Sequence, residues 1–328
     1  MTDLVSVIIP CFQQGQFLPD AIYSLQSQSH RDWEALIIDD GSTDNTELIS
    51  SALVQADSRI KYIFRENGGL SAARNTGLNH ARGSWIQFLD ADDVIECEKF
   101  EQQIKYLKEN PSIDIVYNSA IYFTDMEPMI LRRTHVTNGP DHDFVKEIWD
   151  APGAVEEKLV ESNILPVCAP LLRIETLKGV GFFNEDLRSL EDWEFWLRCA
   201  LAGYVFQFAP LPKTMAYIRV HPASMSKNTE RMRQSQFEVR LMLHNSIEFS
   251  KLRTKNFSHL MHLASNLNQH SRIKRFFRIY KDSKSINEKI VVVLSFFVDK
   301  GGPLQSLTRK LFPISTQKSI AKWIGRSI

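Results

Sequence analysis

Trp85-Ile-Gln-Phe-Leu-Asp-Ala-Asp-Asp-Val94 reads as a short apolar strand, Trp85 to Leu89, that runs straight into the carboxylates Asp90, Asp92 and Asp93. A strand ending in clustered acids sets them at the lip of a sheet, where open α/β folds hold their ligands. Asp90 and Asp92, separated by the small Ala91, offer two carboxylates able to share one hard cation. Mg²⁺ and Mn²⁺ are such ions; they take oxygen ligands and keep positions open for phosphate oxygens. The stretch therefore reads as a metal–diphosphate site. The plain alternative is an acidic turn after a strand, because short motifs match freely.

The residues on either side follow the same grammar. Val5-Ser-Val-Ile-Ile9 is a β-branched run expected to stop at Pro10, as a buried central strand should. Phe17, Leu18, Ala21, Ile22 and Leu25 have helical spacing, with Pro19 in the first turn. Ala35 to Ile38 is a second strand ending in Asp39-Asp40-Gly41-Ser42. Asp44-Asn-Thr-Glu47 then has the pattern of a capping arrangement, with Leu48, Ile49, Ala52 and Leu53 expected inward. Ile60 to Phe64 is a third strand, and the Gly68-Gly69 loop feeds a helix over Ser71 to Ala81. Strand–helix alternation at this spacing predicts parallel pairing with right-handed crossovers. Three strands then end on one edge, at Pro10–Gln14, Asp39–Asp44 and Asp90–Asp93, and the fold gathers their polar ends into one cleft.

Beyond the acids, Phe100, Ile104 and Leu107 mark an amphipathic helix before Pro111, and Ile113 to Asn118 a further strand. Thr124 to Pro152 is loop-like, and a loop of that length is usually functional. Leu190-Glu-Asp-Trp-Glu-Phe-Trp-Leu-Arg198 predicts a helix that buries Trp193, Trp196, Leu197, Ala200 and Leu201, with Glu191 and Asp192 at its start. No Gly or Pro occurs from Ala223 through Lys300, which favours a helical appendage.

Composition bounds the rest. Of 328 residues, 43% are apolar and 24% charged, as in a globular protein with room for about two domains. The zero net charge hides a polarised chain: residues 1–229 carry 20 Lys/Arg against 33 Asp/Glu, and residues 230–328 carry 19 against 6. The basic end predicts contact with something anionic, such as a membrane surface, or packing on acidic protein. The acidic first part argues against nucleic acid as a substrate. The four cysteines show neither metal-ligand spacing nor disulfide density, so reduced thiols in the cytoplasm are expected. The N-terminus lacks the basic start of a signal peptide, and the longest mainly apolar stretch, Ile290 to Val298, is too short to span a bilayer. The expectation is a cytoplasmic protein with peripheral contact at the inner face of the membrane.

With these residues laid out, the chain resembles the family 2 glycosyltransferases, which have the nucleotide-sugar fold called GT-A. Val5-Ser-Val-Ile-Ile-Pro-Cys-Phe12, Ile38-Asp-Asp-Gly-Ser-Thr-Asp44, Gly69-Leu-Ser-Ala-Ala-Arg-Asn-Thr-Gly77, Phe88-Leu-Asp-Ala-Asp-Asp93, Glu191-Asp192 with its aromatic helix, and His221-Pro-Ala-Ser224 carry the resemblance, which covers about residues 3–228. It implies a catalytic domain over 1–228, with a nucleotide-sugar half (1–118) and an acceptor-side half (119–228), and leaves 229–328 as a basic helical extension. It also implies an inverting, metal-dependent transfer of a sugar from a nucleotide diphosphate, UDP in the first instance, to a hydroxyl of a surface polysaccharide, lipopolysaccharide or glycolipid. Pro10 and Phe12 would border the base, and Asp40 and Arg74 would contact the base and the surroundings of its phosphates. Asp90, beside Ala91, would lie near the ribose. Asp92 would hold Mn²⁺ or Mg²⁺ with His221 closing over it, and Asp192 would be the general base. Asn184 stands where many relatives carry Asp.

Plainer readings stand beside these. Arg74 could be a solvated helix arginine, Asp39 a turn-holding residue rather than a ligand contact, and His221 a packed strand-end histidine. Glu191 and Asp192 could merely cap their helix, while Trp193 and Trp196 read as core rather than as a sugar platform. A non-catalytic nucleotide-sugar binder or scaffold is the competing class, against which the intact Asp90, Asp92 and Asp192 count. A nucleotidyltransferase would want a Gly-rich loop with a lysine near the N-terminus, and Gln13-Gln-Gly-Gln16 has no lysine.

Overall fold

The computed structural model describes residues 3–124, 131–132, 154–246 and 251–265, with isolated positions between 275 and 292. Its contacts divide the chain into two units, 1–229 and 230–328.

The first unit is built on a seven-stranded sheet in the order β10-β6-β9-β4-β1-β2-β3. Its strands are β1 (Val5–Cys11), β2 (Trp33–Asp39), β3 (Ile60–Phe64), β4 (Trp85–Phe88), β6 (Ile115–Tyr117), β9 (Pro170–Arg173) and β10 (Phe206–Phe208). β1 pairs in parallel with β2 and with β4, and β2 with β3. Parallel strands need crossovers, which α1 (Leu18–Gln26), α2 (Thr46–Ala56) and α3 (Leu70–His80) supply. β9 runs antiparallel between β4 and β6, so residues after 119 enter the same sheet as β1 to β4. The result is an α/β fold with a mostly parallel, mixed sheet. A second sheet, β5-β11-β7-β8, joins β5 (Val94–Ile95), β7 (Ala120–Phe123), β8 (Leu131–Arg132) and β11 (Ala216–Arg219). These strands of two to four residues are too short to carry a readable alternation. The loop-like stretch expected over Thr124 to Pro152 otherwise lies outside the described residues.

The register sets the cleft. Cys11 stands opposite Asp39, and Ile8 opposite Phe88, so β1, β2 and β4 finish on one edge. The strand does not stop at Pro10, as expected; it runs on to Cys11, whose carbonyl accepts the Asp40 N–H at 2.9 Å. α3 lies against β1 through Gly77, where a Cβ would sit 2.4 Å from Ile8 Cγ2.

Two other expectations are corrected. α2 turns Thr46 and Ser50 inward and leaves Leu48 74% exposed, because Thr46 backs onto Gly15 so closely that only a small residue fits. Its expected cap is absent too: Asp44 accepts from the Thr46 and Gly15 amides, both at 3.1 Å, and thereby ties two loops together. In α7 (Glu191–Leu201), Trp193, Trp196, Leu197 and Ala200 are buried as expected, but Leu201, in the last turn, is exposed. The remaining helices of this unit are α4 (Lys99–Glu109), α5 (Ala154–Glu161) and α6 (Glu175–Val180).

The second unit contains α8 (from Thr229 to Ser246) and α9 (Lys251–Ser265), packed around Phe237, Leu241, Phe257, Leu260 and Met261. Of the basic-aromatic stretch 272–280, Arg275 lies over the Phe237 ring and Arg278 pairs with Glu238 at 2.7 Å, so both turn onto α8. Arg272, Lys274 and Tyr280 lie outside the described residues. Among the described residues no helix is long and apolar enough to cross a membrane.

Glu34, 2% exposed near the start of β2, shows how the edge away from the cleft is held. Burial works to raise its pKa, but hydrogen bonds from Arg82, Lys61 and Ser6 outweigh this and bring it to about 2. Its stabilisation is complete above the ordinary carboxylate pKa and is lost as pH falls from about 4.5 towards 2. After screening of the exposed Arg82 and Lys61, this is worth on the order of 2 kcal/mol. Denaturant unfolding at pH 7 and pH 3 should show Glu34→Gln less stable than wild type at pH 7, with the gap shrinking at pH 3.

Candidate active site

Asp90-Ala91-Asp92-Asp93 forms a tight turn, closed by the Asp93 N–H donating to the Asp90 carbonyl at 3.0 Å. The turn sends its three carboxylates in three directions. Asp90 Oδ1 accepts from the Arg74 guanidinium at 2.7 Å. Asp92 Oδ2 lies 2.9 Å from His221 Nε2 and accepts from Gln14 Nε2 at 3.1 Å. Asp93, 4% exposed, accepts the Arg219 N–H at 3.0 Å. Ala91 is fully buried and offers only its backbone to the cleft. Asp90 is thus engaged by Arg74, and Asp92 by His221 and Gln14. The donors that stand together are Asp92 and His221.

Burial pushes the Asp92 pKa up, as does neighbouring Asp90, while the hydrogen bond from His221 opposes them. A carboxylate and an imidazole suit Mn²⁺ or Mg²⁺ when substrate phosphates and water complete the shell. Among the described residues no set of three or more His, Cys, Asp or Glu converges to hold a metal without such help. Asp92 and His221 are the two side chains here that could hold an ion arriving with a diphosphate. His221 is seated by Ser224, whose Oγ accepts its N–H at 3.0 Å, and by Phe17, whose ring centroid is 4.9 Å away.

Arg74 is the main departure from expectation. It is 1% exposed, too deep to serve as a solvent-facing arm towards phosphate. Its guanidinium is shared by Asp90 and Glu191. Burial alone would lower its pKa; the two carboxylates more than reverse that and keep it charged. Asn75, on the same helical face, donates to the Phe183 carbonyl at 3.0 Å and to Glu185 at 2.8 Å, and so holds the loop before α7. Asn184, in that loop, accepts the Asp186 N–H at 3.0 Å and shapes the turn.

Asp192 follows at the start of α7. Both its oxygens accept from Asn163 Nδ2 at 3.1 Å, and Oδ1 also accepts the Trp193 N–H at 2.7 Å. Burial raises its pKa to about 7, with Glu191 adding to the shift and Arg74 and Asn163 opposing it. Burial, rather than the charge of Glu194, is the dominant cause; Glu194 is paired with Arg198 at 2.7 Å. The preceding Leu190 sits in the left-handed region at φ 60°, an uncommon conformation for a residue with a Cβ. Such conformations cluster where a functional group must be held in place.

The β2 end is arranged differently. Asp39 is 1% exposed, accepting the Ser42 N–H at 2.8 Å and the Tyr62 hydroxyl at 2.7 Å, which is the turn-holding geometry. Asp40 pairs with Arg65 and accepts from the Gly68 and Gly69 amides at 3.0 and 2.7 Å, so it anchors the loop into α3. Gly69 carries φ 96° there, which explains the glycine. Phe12 is 48% exposed at the end of β1, while Pro10 is buried within the strand. Gln14, Asn163 and Arg219 escaped the sequence reading. Arg219 grips the Asp92 carbonyl at 2.9 Å and Asp20 at 2.7 Å, yet lies in a four-residue strand with no motif to announce it.

The description "Glycosyl transferase family 2" matches residues 6–173, the span that contains β1, β2, α3 and the acidic turn. The chain belongs to glycosyl transferase family 2. It is 30% identical over 226 residues to an uncharacterized glycosyltransferase of Haemophilus influenzae, covering 69% of this chain and 82% of that protein. It is 32% identical over 199 residues to one of Rickettsia conorii, covering 60% of this chain but spanning only 30% of that protein. The fold is that of S. aureus TarS, solved in complex with UDP-GlcNAc, with a TM-score of 0.63 at 18% identity, covering 98% of this chain and 92% of that one. The Pyrobaculum calidifontis mannosyltransferase PcManGT, solved with GDP-Man and Mn²⁺, gives 0.60 at 15% identity, covering 98% and 84%. The family 2 fold is thus the frame in which these acids stand.

Removing Arg74 tests that frame. Breaking a buried ion pair by deleting one partner costs about 3–5 kcal/mol, because the other charge is left unpaired. Arg74→Met should lose stability of that order in denaturant unfolding. In a double-mutant cycle with Glu191→Gln the two losses should fail to add, with coupling of about 1–3 kcal/mol.

Proposed function

We propose that the chain is a metal-dependent, inverting glycosyltransferase that moves a sugar from a nucleotide diphosphate to an acceptor hydroxyl. One observation carries the reading. A buried carboxyl with its pKa near 7, Asp192, lies one residue from a glutamate whose arginine partner also holds the acidic turn. That linkage supports a reading in which a proton acceptor and a diphosphate end share one cleft edge.

In this mechanism Asp192 takes the proton of the acceptor hydroxyl as that oxygen attacks the anomeric carbon. The bond from that carbon to the diphosphate breaks, and its electron pair leaves with the diphosphate. Attack from the face opposite the leaving group inverts the centre, through an oxocarbenium-like transition state. Mn²⁺ or Mg²⁺, held by Asp92 and His221, would supply Lewis-acid stabilisation of the leaving charge. Phe12, exposed at the rim, borders the base, and Asp40 orders the glycine loop beside it. UDP is the carrier first to be tested; TarS was solved with UDP-GlcNAc and PcManGT with GDP-Man, so both bases are live. The acceptor is a hydroxyl of a surface polysaccharide, lipopolysaccharide or glycolipid, met at the inner face of the membrane. Residues 1–228 carry the chemistry, and the basic 229–328 form a separate extension.

Calorimetric titration with UDP, dTDP and GDP, each with Mn²⁺ and with EDTA, tests the donor side. One nucleotide should bind in a metal-dependent manner, and Asp92→Ala should lose that binding. Failure of all three would overturn the reading.

For the base, Asp192→Asn should retain donor binding while turnover falls about 10²–10⁴-fold, the usual worth of general base catalysis. Asp192 must be ionised to act, so wild-type turnover should fall about tenfold per pH unit below about 7 and level off above it. A profile flat down to pH 5 would remove Asp192 from the role.

A further inference from the structure

The catalytic reading explains Asp192 but not the residue that lies against it. Asn163 sits in the short segment between α5 and β9, and its Nδ2 lies 3.1 Å from both carboxylate oxygens of Asp192. An amide nitrogen equidistant from two carboxylate oxygens bridges them and restrains the position of the group. Among the described residues the two oxygens are then unequal: Oδ1 accepts from Asn163 and the Trp193 N–H, and Oδ2 from Asn163.

The segment carrying Asn163 is pinned on both sides by the helix that carries Asp192. The Trp193 indole N–H donates to the Leu159 carbonyl at 2.7 Å, and the Trp196 indole N–H to the Leu165 carbonyl at 3.1 Å. Leu159 and Leu165 are themselves fully buried. The two tryptophans thus do more than fill core; their polar edges deliver Asn163 onto the carboxylate one turn away.

We infer that Asn163 is a positioning residue for the base, its amide spanning both oxygens of Asp192 so that Oδ2 is the atom that receives the acceptor's proton. The inference rests on the base reading above. In the step itself the acceptor O–H bond breaks, its proton passes to Oδ2, and the freed electron pair forms the bond to the anomeric carbon. Other groups face Asp192 too: Glu191 from its own helix, Arg74 from α3, and the buried Tyr122 of β7, whose phenol pKa is pushed up by burial and by the surrounding charges, Asp192 among them. Among these side chains, Asn163 is placed to donate to both oxygens of the carboxylate. A donor to a carboxylate favours its ionised form, so losing the donor should raise the carboxyl's titration midpoint.

The test follows the carboxyl directly and needs no donor sugar. Full-length protein labelled with carboxyl-¹³C aspartate is titrated by NMR, and the Asp192 resonance is identified by its loss in Asp192→Asn. Wild type should titrate near pH 7, Asn163→Leu (similar in size, no donor) at distinctly higher pH, and Asn163→Ser, a smaller donor, in between. Trp196→Phe, which keeps the ring packing but drops the indole N–H, should move the midpoint the same way by less. Should Asn163→Leu not fold, Asn163→Ser and Trp196→Phe carry the comparison. A purely structural Asn163 would lower the melting temperature and leave the midpoint in place; unmoved midpoints in the folded variants overturn the inference. Failure of the base reading looks different: Asp192→Asn would transfer sugar at near-normal rates whatever the carboxyl titrations show.

Discussion

The structure turns on one buried cation. Arg74 has almost no exposure to solvent, and a charge in that position cannot persist unless it is paired. Its two partners come from different parts of the chain, Asp90 at the end of β4 and Glu191 at the start of α7. The cost of leaving any one of the three unpaired ties α3, the acidic turn and the aromatic helix to one another. Asp192 inherits its place from that constraint, because its neighbour cannot move without stranding Arg74. Leu190, just before that helix, is held in an uncommon backbone conformation.

The same logic divides the labour among the three acids of the turn. Asp90 goes to the cation and Asp93 to the backbone of β11, which leaves Asp92 beside His221. Arg219, holding the Asp92 carbonyl and Asp20 at once, joins the second sheet to this turn and presents His221 two residues later. The two side chains proposed to hold a metal, Asp92 and His221, come from elements far apart in sequence.

Much of the fold was legible because its signals are local. β-branched runs ending in acids, helices between them and a glycine loop are all patterns within a dozen residues, and parallel pairing follows from them. The β9 insertion and the four short strands of the second sheet were not legible, since two to four residues carry no period. Leu48 and Leu201 both stand at helical spacing that predicts core; at Leu48 the close approach of Thr46 to Gly15 turns small residues inward instead, and Leu201 is the terminal residue of its helix. At the site, Asp92, His221 and Asp192 stood out by residue type and by family position. Asn163, Gln14 and Arg219 did not, being common residues whose significance is a distance.

By itself the sequence determined the family, the α/β alternation, the edge on which the strands end and the residue types available there. Those follow from chain-local chemistry, in which hydrophobic period and turn residues act over a few positions. Only the tertiary structure decided that Arg74 is a buried tie rather than a ligand arm, that Asp39 and Asp40 are spent on their own turn and loop, and that an asparagine faces the candidate base. Pairing of buried polar groups is settled by which side chains the packed core brings within about 3 Å of each other, and no spacing along the chain encodes that.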